Sequence, residues 1–148
     1  MVGAKSKKFN YKTTVEWKEQ KKGMLSCSDK PAFEVATPVE FRGHAGIWTP
    51  EDLFVSSVNI CVMTTFLFFA EKEGVELLSY KSDADGILEK VDDKFMFSRI
   101  TLSVSISVKT QDQISKAQEL LVRAEENCLI SNSIVSKVTV RPDVKSGE

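Results

Sequence analysis

The segment TPEDLFVSSVNICVMTTFLFFAEKEG, from Thr49 to Gly74, constrains the fold most because its ends are helical and its middle is apolar on every side. Thr49 can cap a helix, Pro50 suits the first helical position, and Gly74 suits the end. The apolar part, Leu53 to Ala70, is at the low edge of the length that a bilayer needs, and it contains several polar side chains. Acidic residues flank it without a basic bias on either side. The pattern therefore favours the central helix of a globular protein over a membrane span.

Period-two patterns predict strands on both sides of this helix. YKTTVEWKE predicts a first strand, and the turn-rich KKGMLSCSDKP joins it to a second strand around AFEVA. After the helix, VELLSYKSDA predicts a strand that ends near a turn at DADG. From Ile100 to Val108, apolar residues alternate with Thr and Ser, which predicts a strand with one buried face in an antiparallel sheet. SKVTVRP predicts a last strand.

A second helix is predicted from Thr110, where Thr110 and Gln113 have the spacing of a capping box. Residues at helical spacing form its apolar stripe: Ile114, Ala117, Leu120, Leu121, Ala124 and Cys128. The predicted order, β-β-β-α-β-β-β-α-β, is that of one α+β domain over residues 1–148 with antiparallel sheets around two helices. A chain of this size cannot cover a helix that is apolar all round, so we expect a homodimer with the Thr49–Gly74 helices at its centre.

Composition excludes several classes of protein. The chain has 148 residues with a net charge of -1 and scattered lysines, so no basic surface for nucleic acid is expected. The opening residues MVGAKSKK lead into no apolar segment, and we expect a cytoplasmic protein that does not bind a membrane. The three cysteines lack the spacing of a disulfide framework or a zinc site. The single histidine, His44, makes no metal site.

Two of the three thiols could work as a pair. A buried cysteine is ordinarily a small apolar residue, and Cys27, in a polar turn, is expected to be incidental. Cys61 lies in the central helix, however, and Cys128 lies at the inward-facing end of the second helix. Two thiols that meet in an apolar pocket can alternate between a dithiol and a disulfide.

The sequence around these thiols strongly resembles the OsmC/Ohr family of thiol peroxidases, the osmotically inducible protein C and organic hydroperoxide resistance proteins. The residues that match the family pattern are Pro50, Glu51, Leu53, Cys61, Ala124, Cys128 and Ser131. The resemblance implies that Cys61 is the thiolate that attacks a hydroperoxide and becomes a sulfenic acid, and that Cys128 resolves it to a disulfide. It also implies an external dithiol reductant, such as a lipoyl protein, and no bound cofactor.

The family arginine that holds the thiolate is missing from its usual place. The resemblance implies that Glu51 orients this arginine; along a straight helix Glu51 lies about 15 Å from Cys61, which is too far to act on the sulfur itself. Lys21 or Lys22 occupies the usual position, and Arg42 is the arginine in the loop before the helix. We assign the role to Arg42, because only a guanidinium can bridge a carboxylate and a sulfur.

A second departure from the family is Leu129, where proline often follows the second cysteine.

Two other functions would suit the same fold. In the first, the chain is a binding protein whose apolar pocket holds a lipid or another small molecule and whose thiols are unreactive. In the second, it is a hotdog-type thioesterase, which also wraps a sheet around a central helix. The second helix carrying Cys128, and the lack of an acidic or histidine catalytic pair, favour a peroxidase over a thioesterase.

Overall fold

A three-stranded antiparallel sheet forms the N-terminal part of the chain in the computed structural model, which describes residues 6–148. Its strands are β1 (Thr14–Glu19), β2 (Lys22–Cys27) and β3 (Lys30–Ala36), in the order β1-β2-β3. The turn-rich segment of the prediction is therefore wrong, because most of it is β2. Two tight turns enclose this strand, and Gln20 and Asp29 take positive φ angles in them, of 50° and 62°. Residues 1–5, part of the opening stretch used to predict the location, lie outside the described residues.

The chain divides into two compact units, Met1–Asp52 and Leu53–Glu148. In the N-terminal unit, β1 is exposed along its whole length, and Val15 and Trp17 keep 67% and 73% of their surface accessible. The predicted first strand is present, but both of its faces are exposed among the described residues. A short 3₁₀ turn at Val39–Phe41 follows β3.

The helix α1 (Pro50–Lys72) begins and ends as its sequence predicts. The Asp52 N–H donates to the Thr49 hydroxyl at 3.1 Å, and the Thr49 N–H donates to the Asp52 carboxylate at 3.0 Å. This reciprocal cap satisfies two backbone donors at the helix start. Gly74, at φ +72°, turns the chain away after the helix.

Two 15-residue strands, β4 (Leu77–Val91) and β5 (Lys94–Val108), form an antiparallel hairpin in the second unit. The turn lies at Asp92 and Asp93, both at positive φ, and not at DADG. Gly86 of that motif sits inside β4, where an added Cβ would lie 2.6 Å from Val55 Cγ2 of α1. Glycine is required at this position because the helix packs closely on the strand. The prediction of a turn at DADG is therefore wrong. The prediction of three strands between the helices is also wrong, because only β4 and β5 lie there.

The second helix, α2 (Ile114–Glu126), follows a 3₁₀ turn at Gln111–Gln113 and leads to the last strand, β6 (Lys137–Ser146). Because α2 crosses over between β5 and β6, these strands run parallel, in contrast to the antiparallel sheet expected. The predicted capping box is also wrong: the Gln113 amide accepts from Glu76 N–H and donates to Gly74 O, both at 3.3 Å.

One apolar core fills the second unit between the β4-β5-β6 sheet and its two helices. The alternation from Ile100 to Val108 in β5 is confirmed, since the apolar side chains of this segment are at most 1% exposed while the Thr and Ser side chains between them face away. α1 adds a stripe of residues four apart, and α2 adds its predicted stripe. The buried members are Val58, Val62, Phe66, Ala70, Val75, Ile100, Leu102, Val104, Ile106, Val108, Ala117, Leu120, Leu121, Ala124 and Cys128.

The other face of α1 is apolar, and the described residues leave it uncovered. Ile60 and Phe68 keep 56% and 61% of their surface accessible, and Leu67 keeps 37%. By length and composition α1 could cross a membrane, with a mean hydropathy of 2.0 over a window of which 22% is buried inside the chain. A core helix passes the same test, and α1 does form one side of the core.

Candidate active site

Helix α1 brings Cys61 to the edge of the core. Val58, Val62 and Phe66 fix one face of the helix against the sheet. Cys61 lies beside this stripe and is half-buried, in contact with the core. Thr65, one helical turn later on the same face, places its hydroxyl near the Cys61 sulfur. The thiol is thus held on a rigid element.

The chain after α2 brings Cys128 to the same place. Its N–H donates to Glu125 O at 3.3 Å as the helix ends, and its side chain is fully buried. The Ser131 N–H then turns back to the Cys128 sulfur, with 3.4 Å between nitrogen and sulfur. The Ser131 hydroxyl is buried and finds no nitrogen or oxygen partner among the described residues. It lowers the pKa of Cys128.

The two thiols interact directly, and their pKa values are shifted in opposite directions. Burial raises the pKa of Cys61, but hydrogen bonds from the Cys128 thiol, the Ile130 and Leu129 backbone and the Thr65 hydroxyl outweigh burial, so that the pKa lies below its ordinary value. Burial first, and the neighbouring Cys61 second, raise the pKa of Cys128, against the opposing effect of Ser131. The pair therefore ionises first at Cys61, with Cys128 as the thiol that donates to it. Both cysteines are free in this structure.

A group of charges ties α2 to the end of α1. The Glu73 carboxylate accepts from Lys116 and from Arg123, each at 2.6 Å. The Arg123 guanidinium also lies over the Phe69 ring, 4.5 Å from its centre. These contacts fix the orientation of the helix that leads to Cys128.

The other predicted site residues belong to the N-terminal unit. Glu51 Oε2 is buried and has no hydrogen-bond partner among the described residues. Arg42 is exposed, takes a left-handed backbone conformation at φ 61°, and forms no ion pair with Glu51. The Lys21 ammonium donates to Phe41 O at 3.2 Å and to Arg42 O at 3.0 Å, so Lys21 holds the loop that carries Arg42. The role of Arg42 stays a prediction.

An open apolar groove of about 400 Å³ lies in this unit. Lys21 and Lys22 contribute to a lining of Val15, Trp17, Lys21, Lys22, Gly23, Val35, Ala36 and Pro50. Cys27, at the end of β2, donates its thiol to Lys12 O at 3.4 Å. Among the described residues, no three His, Cys, Asp or Glu side chains are grouped so that they could hold a metal ion.

Comparison with known proteins agrees with this architecture. The model of the family described as OsmC-like protein matches residues 43–143, which include α1, α2 and both thiols. The chain belongs to the OsmC-like protein family. The resemblance seen in the sequence and the predicted α+β fold are thereby confirmed.

Individual OsmC-like relatives are distant in sequence. The uncharacterized protein YmaD of Bacillus subtilis is 24% identical over 110 residues, which cover 72% of this chain and 73% of YmaD. An OsmC-like protein of unknown function from Vibrio cholerae has a TM-score of 0.85 at 19% identity, covering 92% of this chain and 100% of its own. An organic hydroperoxide resistance protein from Elizabethkingia anophelis has a TM-score of 0.74 at 19% identity, covering 95% and 99%. At these identities the solved structures show a shared fold.

Three contributors to this OsmC-like site were missed in the sequence. Thr65 could have been found, because it stands one helical turn after Cys61. The backbone N–H groups of Leu129 and Ile130 have no signature of their own, since every residue except proline carries one. The sequence feature that relates to these N–H groups is Leu129, which stands where the family often has proline.

Proposed function

We propose that this OsmC-like protein is a thiol-dependent peroxidase that reduces organic hydroperoxides, or hydrogen peroxide, through a two-cysteine cycle. The observation that carries the proposal is the contact between Cys61 and Cys128, in which Cys61 is the more acidic thiol. The chain belongs to the OsmC-like family, and an organic hydroperoxide resistance protein shares its fold. This likeness supports the same chemistry. A thiolate is the nucleophilic form of cysteine, so the more acidic thiol is the one to attack first.

The proposed reaction has two steps on the protein. The Cys61 thiolate attacks the outer peroxide oxygen, an S–O bond forms, the O–O bond breaks, and the alkoxide leaves and takes a proton to become an alcohol. The Cys128 sulfur, after losing its proton, attacks the Cys61 sulfenic acid. The S–S bond forms and the hydroxyl group leaves as water. An external dithiol then supplies two electrons and two protons and restores both thiols.

Glu51 and Arg42 are proposed as supporting residues of this cycle. Glu51 supports the idea of a missing cationic partner, because its Oε2 atom is buried without a hydrogen bond in the described chain. Arg42 is exposed and unpaired among the described residues, so its guanidinium is free to pair with a group outside this chain. A dithiol-driven cycle needs a reducing compartment, and we propose the cytoplasm.

A homodimer is part of the proposal. The uncovered apolar faces of α1, with Ile60 and Phe68, and of β1, with Val15 and Trp17, support it, because a stable soluble chain rarely leaves such surface in water. Sedimentation at micromolar concentration tests it. We expect a dimer that Phe68→Glu weakens, and a stable wild-type monomer would contradict the proposal.

The decisive experiment measures thiols in the reduced protein after addition of cumene hydroperoxide or tert-butyl hydroperoxide. We expect two thiols to be consumed per chain and a Cys61–Cys128 disulfide to appear in peptide mass spectra. In the Cys128→Ser variant, the reaction should stop at a Cys61 sulfenic acid, which dimedone traps. The Cys61→Ser variant should consume no peroxide. Cys27→Ser is the matched control and should behave as wild type.

The alternative is a binding protein without peroxidase activity, which holds a lipid or another small molecule. The open apolar groove lined by Trp17 and Pro50 favours it. If peroxide leaves both thiols intact, and the protein purifies with or retains an apolar ligand, the binding function replaces the peroxidase.

A further inference from the structure

Two hydrogen bonds join α1 to β4 within a largely apolar interface. The Ser82 hydroxyl donates to Asn59 Oδ1 at 2.6 Å, and the Asn59 side-chain amide donates to Ser82 O at 3.3 Å. Both residues are half-buried. A polar group that leaves water without a partner destabilises the fold, so each residue of the pair depends on the other.

The contacts on either side of this pair are apolar and continue along the same strand. Val55, one turn before Asn59, lies so close to Gly86 that an added Cβ would be 2.6 Å from Val55 Cγ2. Phe66, two turns after Asn59, lies against Tyr80 with the ring centres 5.6 Å apart. Apolar contacts are non-directional, whereas a hydrogen bond requires a particular distance and angle. The polar pair is therefore the contact that can define how α1 is rotated about its own axis on β4.

Asn59 and Cys61 lie on opposite edges of the apolar stripe of α1. Because a helix turns by about 100° per residue, their side chains point about 160° apart, with the buried Val58 and Val62 between them. Asn59 faces β4, so Cys61 lies on the edge of the stripe away from that strand. A rotation of about 20° would move a side-chain atom about 5–6 Å from the helix axis by about 2 Å. Fixing Asn59 therefore also fixes the sulfur.

Disulfide formation is the step of the proposed cycle that depends on this rotation. A hydroperoxide is free to diffuse to the thiol wherever the helix holds it. Cys61 and Cys128 are both free in this structure, and to form a disulfide their sulfurs must come within about 2 Å of each other. A misplacement of about 1 Å can slow such a step by about a hundredfold.

We propose that Asn59 and Ser82 are positioning residues that fix the rotation of α1 and thereby set the approach of Cys61 to Cys128. The purpose of this device rests on the proposed two-cysteine cycle. Among the described residues neither of the pair forms a hydrogen bond with a sulfur, so both act through the helix. Buried polar groups specify one packing arrangement in this way in several other proteins.

The test separates position from stability with variants in a Cys27→Ser background. Asn59→Leu, a change to a side chain of similar size, leaves the Ser82 hydroxyl without its acceptor and should lower stability. Asn59→Leu/Ser82→Ala removes both polar groups and should recover most of that stability, because no group is left unpaired. Ser57→Ala is the matched control, since the Ser57 hydroxyl donates to Phe54 O at 2.7 Å within α1 itself.

Disulfide formation is driven with diamide, which takes two electrons and two protons from the two thiols, and peptide mass spectrometry follows the Cys61–Cys128 bond. Asn59→Leu and the double variant should form this bond at least about tenfold more slowly than the background, and Ser57→Ala should match it. Alkylation of Cys61 by iodoacetamide at high pH, which needs no second thiol, should be unchanged.

Three results would overturn the proposal. The first is a double variant that regains both its stability and its disulfide rate, because the pair would then serve stability alone. The second is alkylation slowed by the same factor, because the loss would then lie in the reactivity of Cys61 itself. The third covers a double variant that does not fold: Ser82→Ala alone then takes its place, and an unchanged disulfide rate in that variant contradicts the positioning role.

Peroxide is tested separately on the same samples. With cumene hydroperoxide, the Asn59→Leu variant should accumulate a Cys61 sulfenic acid that dimedone traps, because the first step proceeds and the second is slow. Slower disulfide formation with diamide, together with no peroxide consumption in any sample, would refute the peroxidase function while leaving the positioning role of Asn59 and Ser82 in place.

Discussion

Gly86 tests the packing of α1 on the sheet, and with it the position of Cys61. Gly86→Ala would place a Cβ 2.6 Å from Val55 Cγ2 and 3.2 Å from the Phe97 ring. The first distance is about 0.8 Å short of the 3.4 Å at which ordinary contact begins. The ring can yield by a few tenths of an ångström, but Val55 lies in a helix, where a valine has one strongly preferred rotamer. Relief must therefore come from movement of α1 or from a strained side chain.

We expect Gly86→Ala to decrease the free energy of unfolding by about 1–2 kcal/mol. Overpacking of this kind costs about 1–3 kcal/mol. An alanine in a strand otherwise gains about 0.5–1 kcal/mol over glycine, which lessens the loss. Urea denaturation followed by circular dichroism measures the difference between variant and wild type.

The matched control is the double variant Gly86→Ala/Val55→Ala. Removal of the Val55 methyl groups eliminates the clash, so the double variant should be more stable than the sum of the two single changes allows. A coupling energy near zero, or a Gly86→Ala protein as stable as wild type, would refute the reasoning that glycine is required by close helix packing.

Three further predictions concern the core, the charges and the cation. Leu120→Ala should decrease the free energy of unfolding by about 2–5 kcal/mol because Leu120 is fully buried, whereas Leu129→Ala, at an exposed side chain, should stay within about 0.5 kcal/mol; equal losses in urea denaturation would contradict this. Hydrogen bonds from Lys116 first and Arg123 second hold the pKa of Glu73 below 4.5, so its stabilising effect is present above pH 4.5 and is lost as the pH falls through the lower folded value. Glu73→Gln should abolish that loss in denaturation curves recorded between neutral pH and pH 2, with exposed Glu71→Gln as the control. Arg42→Met should slow peroxide consumption, and Lys22→Met should not. The reverse result would assign the cationic role to Lys22. Lys21→Met is a poor test because the Lys21 side chain holds the loop that carries Arg42.

Local patterns predicted the elements whose causes are local. The β5 alternation and the Thr49 cap depend on neighbouring residues, and both are confirmed. DADG and the Thr110–Gln113 pair failed because distant contacts decide them. Gly86 is required by a helix side chain far away in the sequence, and Gln113 hydrogen bonds with Gly74 and Glu76 instead of capping its own helix. Turn and cap motifs state only what a residue can do locally.

The candidate site divides in the same way. Cys61 and Cys128 were predicted as a pair from a two-part motif, because side-chain identity carries the chemistry of a thiol. The Cys128 thiol is the first cause that lowers the pKa of Cys61, followed by the Ile130 backbone, the Thr65 hydroxyl and the Leu129 backbone, and the backbone groups have no sequence motif of their own. A search of the sequence for the missing arginine therefore covers only part of the environment that sets the pKa of Cys61. The neighbouring thiol, the Thr65 hydroxyl and the backbone after Cys128 lower the pKa of Cys61 without a charged side chain of residues 53–148, so the absence of the family arginine from its usual place does not by itself exclude an acidic thiol.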